Sequence, residues 1–113
     1  MYNRETEKML EKEGVNTFAY VSAFKPYVES LKMRREALRS GDESMFRYVF
    51  SIPFDREKHE AHNMAVKTVT ELNAKCVELG YQPIFSGDLH NRQEIGKFAC
   101  EFSGEGELAK FAD

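Results

Sequence analysis

Apolar residues in this chain recur mostly at three- and four-residue intervals, the spacing that gathers side chains on one face of an α-helix. The clearest run lies between Asp55, read as an N-cap, and Gly80, read as a stop, about seven turns apart. Its inward stripe is His62, Ala65, Val66, Val69, Leu72, Asn73, Cys76 and Leu79. A second long run extends from about Asn16, a candidate N-cap, to Arg39, with Tyr20, Phe24, Tyr27, Val28, Leu31 and Leu38 on its stripe. Pro26 sits inside that pattern, so a kink or break is expected near Lys25.

Shorter segments complete the pattern. Asn3 to Lys12 reads as a charged helix anchored by Met9 and Leu10 and ended by Gly14. After Ser40 and Gly41, Asp42 can cap a short helix through Met45, Phe46, Val49 and Phe50, which Ile52-Pro53-Phe54 should end. An extended conformation over 49–54 is the alternative there. A loop over 81–87 leads to a fifth helix, about Asp88 to Ser103, burying Ile95, Phe98, Ala99 and Phe102, and Leu108 and Phe111 form a final docked turn. The expectation is an all-α bundle of about five helical segments in one domain, 1–113.

Composition narrows the class. Nine Phe and five Tyr among 113 residues are too many for a chain that stays unfolded. Nothing approaches the eighteen or more apolar residues of a membrane span, and the start of the chain lacks the apolar stretch of a secretory signal. With only Cys76 and Cys100, a disulfide framework is not expected, so the chain reads as cytoplasmic. The net charge of −3, split as +1 over residues 1–56 and −4 over 57–113, argues against a phosphate-binding surface. Lys32, Arg34, Arg35 and Arg39 are the one basic concentration; offset by Glu29 and Glu36, they read as a solvated helix face rather than a nucleic-acid contact.

Candidate chemistry concentrates where the histidines are. Asp55, His59 and His62 follow four- and three-residue steps on one helical face, and His90 can join them if the fifth helix folds back antiparallel. That set is a candidate divalent-metal site, for an ion such as zinc. The spacing departs from known metal motifs: His59-Glu60-Ala61-His62 brings the second histidine one position early for a zinc protease, and Arg56 and His59 stand where di-iron bundles carry glutamates. His90 and Arg92, at the start of the fifth helix, are candidate anion ligands, with Asp88 competing as a cap. Cys76 and Cys100 fall on apolar stripes and read as packing residues.

Asn73 interrupts the apolar stripe and can set register within the bundle or across a dimer. Phe46, Tyr48, Phe50, Phe54, Tyr81 and Phe85 are many aromatics for one short helix and two loops. Phe46, Phe50, Phe54, Tyr81 and Phe85 are candidate interface residues, the alternative being that these aromatics simply cap the bundle core. The leading expectation is therefore a non-enzymatic helical interaction or regulatory module, self-associating or bound to a protein partner, without a cofactor. The alternative is a small metal- or anion-binding enzyme or sensor built on the 55–62 and 88–92 helix ends.

Overall fold

A computed structural model describes residues 4–112, and Asn3 lies outside them. The fold is all-α: five α-helices and a terminal 3-10 turn, with no strand among the described residues. The helices are α1 (Arg4–Lys12), α2 (Thr17–Ser40), α3 (Glu43–Val49), α4 (Ile52–Glu78) and α5 (Arg92–Phe102), and the 3-10 turn is Gly106–Phe111. None is long and apolar enough to cross a membrane.

Local chemistry accounts for most element ends. Gly41 takes a left-handed conformation (φ +71°) after α2, and the carboxylate of Asp42 accepts a hydrogen bond from the Met45 N–H at 3.1 Å. Other ends differ from the sequence expectation. Asn16 precedes α2 but its side chain makes no capping bond. The N-cap of α4 is Ser51, whose hydroxyl accepts from the Phe54 N–H, and Asp55 lies in the first turn. Ile52-Pro53-Phe54 therefore opens α4 rather than closing α3, and 49–54 is not extended. Proline is well placed there, because first-turn N–H groups have no intrahelical partner to lose. Likewise Asn91, not Asp88, caps α5 by accepting from the Glu94 N–H at 3.1 Å, while Asp88 accepts from the His90 N–H at 2.8 Å.

Helix α2 runs unbroken through Pro26. Pro26 and Ser22, four residues earlier, are both exposed, so the carbonyl that loses its intrahelical donor can be hydrated. Adjacent pairs also fall differently from the expected stripes. Leu10 is buried and Met9 exposed, and Ala37 is buried and Leu38 exposed.

The main core lies where α2 and α4 meet α5, α1 and the 3-10 turn. Phe24 and Phe102 meet edge-to-face at 5.6 Å, Phe98 stacks on Phe102 at 5.7 Å, and Phe85 meets Phe98 edge-to-face at 5.4 Å. Asn73 serves a helix–loop rather than a helix–helix contact. Its amide donates to the Phe85 carbonyl at 3.0 Å and accepts from the Phe85 N–H at 2.9 Å, latching the loop onto α4.

At the other end of α2 and α4, α3 closes a much smaller core of Ala37, Val49 and Phe54, with Met45 packed against it. The molecule is consequently long, 50 × 22 × 20 Å. Its radius of gyration of 14.9 Å exceeds the ~13 Å usual for this length. The distal arm has too few residues to bury all its apolar surface.

Candidate functional site

The α4–α5 packing brings together part of the histidine cluster. His62 is buried against the Tyr27 ring, edge-to-face at 6.1 Å. His59, one turn earlier, is exposed, and its Nδ1 lies 3.3 Å from the guanidinium of Arg92 on α5. Asp55 and His90 are exposed, and among the described residues no three His, Cys, Asp or Glu side chains converge as metal ligands. Arg92 meets His59 across the α4–α5 contact, and the His90 N–H donates to Asp88.

Among the described residues, neither ring nitrogen of His62 has a partner in good hydrogen-bond geometry, Asn63 offering only a weak polar contact. Burial holds its pKa below the ordinary value, the positive charge of Arg92 and nearby His59 and Lys58 push the same way, and Asn63 opposes them. A histidine depressed in the folded state binds protons more readily when unfolded, so stability is full above about pH 6.5 and falls as pH drops below it. Replacing His62 with Leu is expected to flatten that acid-side decline. Urea titrations of both proteins between pH 7.5 and 5 check this; parallel profiles would show that His62 does not couple protonation to folding.

The two thiols offer no nucleophile. Burial, with the charges of Glu105 and Glu101, pushes Cys100 up to about 12, and burial raises Cys76 as well.

The candidate interface aromatics divide in two. Phe54 and Phe85 are buried core residues, as the core-capping alternative has it, and present no exposed face. Tyr81 is half-buried and its hydroxyl donates to the Glu13 carboxylate at 2.8 Å, tying the loop to the end of α1. Phe46 and Phe50 face solvent on α3 and at its end, 46% and 59% exposed, with ring centroids 4.8 Å apart. Sequence reasoning missed Ile52, the most exposed large apolar residue described, at 77%. Read as part of a helix-ending step, Ile52 had no face assigned; as the first residue of α4 it projects beyond the small core. A cleft of about 330 Å³ is lined by Val49, Phe50, Ile52 and Phe54, together with Arg34 and Lys58.

A second concavity, of about 630 Å³, lies between α2 and α4 beside α3, with Pro26, Met33, Met45, Ala61 and Met64 among its lining residues. Comparison with known proteins finds no matching family model, no matching curated protein and no matching solved structure.

Proposed function

We propose that this chain is a non-enzymatic helical interaction module of the cytoplasm that self-associates through its distal arm, α3 and the first turn of α4. The supporting observation is the cluster of Phe46, Phe50 and Ile52, three large apolar side chains left in water beside a core too small to take them. Isolated exposed apolar residues are ordinary, but adjacent ones on a projecting element favour a partner. Charge makes a second copy a suitable partner. Residues 39–56 carry Arg39, Arg47 and Arg56 against Asp42, Glu43 and Asp55, so two arms meet without net repulsion. In a two-fold arrangement each aromatic is used twice.

Sedimentation velocity over a hundredfold concentration range tests this. The 13.1 kDa chain is expected to shift to about twice that mass in the micromolar range. Phe50→Glu or Ile52→Glu should weaken the dimer at least roughly tenfold, as for a central interface anchor, with helical circular dichroism unchanged. A monomer at every concentration would sink the proposal.

A further inference from the structure

The concavity between α2 and α4 is chemically unlike the arm. Methionines 33 and 64 are 39% and 50% exposed, and with Met45, Pro26 and Ala61 they present a deformable apolar surface. Around them stand Glu29, Glu36, Glu57 and Glu60, all exposed. The lining carries these four carboxylates against two lysines, Lys32 and Lys58, a surplus of two negative charges, and Arg35 lies 3.4 Å from Glu36 at its edge. Lys58 is buried, and Lys32 is held by Glu105 at 2.8 Å and Glu29 at 3.5 Å.

We infer that this groove docks an amphipathic helix from another protein, one whose apolar stripe is flanked by lysines or arginines. Unbranched, polarisable methionines adapt to varied aliphatic and aromatic anchors. The carboxylates select against a second copy seated groove to groove, which would oppose like charges, and against phosphate-bearing surfaces. Pro26 to Glu36 on α2 and Phe54 to Met64 on α4 each rise about 15 Å, enough for roughly three turns of a docked helix. Such a partner engages through anchors spaced i, i+3 or i+4, and i+7. The groove borders the arm through Met45 and Phe54, but Phe46, Phe50 and Ile52, which carry self-association, do not line it.

The probe is a fluorescein-labelled 18-residue helical peptide of leucine and lysine, titrated with the full chain and followed by anisotropy. Two control peptides replace the lysines with glutamates or the leucines with serines. Saturable binding of the leucine–lysine peptide in the micromolar range is expected, at least tenfold tighter than either control. The double variant Met33→Gln/Met64→Gln should weaken it at least tenfold while keeping the wild-type melting temperature within a few degrees, because both side chains are already half in water. Equal binding of the serine control would reduce the effect to bulk charge attraction and overturn the inference. So would equal binding of the glutamate control, indifference to the methionine substitutions, or no binding at 100-fold molar excess of the chain over labelled peptide at ~100 μM.

Discussion

Asn73→Leu is expected to destabilise the fold by roughly 2–4 kcal/mol, although it completes the apolar stripe of α4. Asn73 is half-buried, so leucine gains at most about 1–2 kcal/mol of additional burial. Against that stand both backbone groups of Phe85, a buried residue whose N–H and carbonyl are paired with the Asn73 amide. A buried donor or acceptor stripped of its partner costs about 1–3 kcal/mol, and here two are stripped together. The loss of the latch outweighs the gain in packing. For a chain of this length the melting temperature should fall by roughly 8–15 °C. Hydrogen exchange at the Phe85 amide gives a local check, since its protection should collapse even under conditions where α4 stays folded. A melting temperature equal to or above that of the wild type would mean that stripe packing, not the latch, dominates at this position.

Gly96→Ala carries the second large effect, and its sign opposes the usual one. In an exposed helix interior, alanine in place of glycine stabilises by about 1 kcal/mol. Gly96 is buried in α5, and a Cβ built there would come 2.5 Å from the Tyr27 hydroxyl oxygen and 2.7 Å from the Ala112 Cβ. Tyr27 is itself buried, so its ring cannot swing into water to make room, whereas Ala112, the residue that closes the 3-10 turn, is only half-buried. Overpacking of this kind costs typically 1–3 kcal/mol, enough to overcome the propensity gain. Tyr27→Phe removes the nearest atom and leaves the ring carbon at 3.3 Å. In a double-mutant cycle the two changes should couple, with Gly96→Ala costing at least 0.5 kcal/mol less in the Tyr27→Phe background, by the usual size of such terms. Strict additivity would assign the cost to the Ala112 side instead. In the sequence Gly96 stands in mid-helix between Ile95 and Lys97, and nothing there identifies Tyr27 as its neighbour.

The number and order of the helices were legible in the sequence because helix formation is governed by local spacing. The stripe through Ala65, Val69, Leu72 and Cys76 needs only the repeat of an α-helix, and all four are buried. Gly41, Asp42 and Gly80 follow the same logic, since a left-handed glycine or a capping carboxylate acts within three or four residues of itself. Where two local solutions competed, the sequence did not separate them. Ser51 and Asp55 are both acceptable caps, and the choice of Ser51 carries Pro53 into a first turn that tolerates it.

Which side chain of an adjacent pair turns inward was decided only by tertiary packing. Leu38 is the larger and more apolar neighbour of Ala37, yet Ala37 is buried, because neighbouring helical positions point about 100° apart and contact with α3 and α4 selects the phase. The same holds for the aromatics. Phe54 and Phe85 find partners in Tyr48 and Phe98, whereas Phe46 and Phe50 lie on an arm that extends past the main core. The sequence carried the expectation of an aromatic surplus over what the core uses. Only the three-dimensional arrangement places that surplus, with Ile52, at one end of a long molecule, because burial depends on which elements lie across from a residue and not on the residues beside it in the chain.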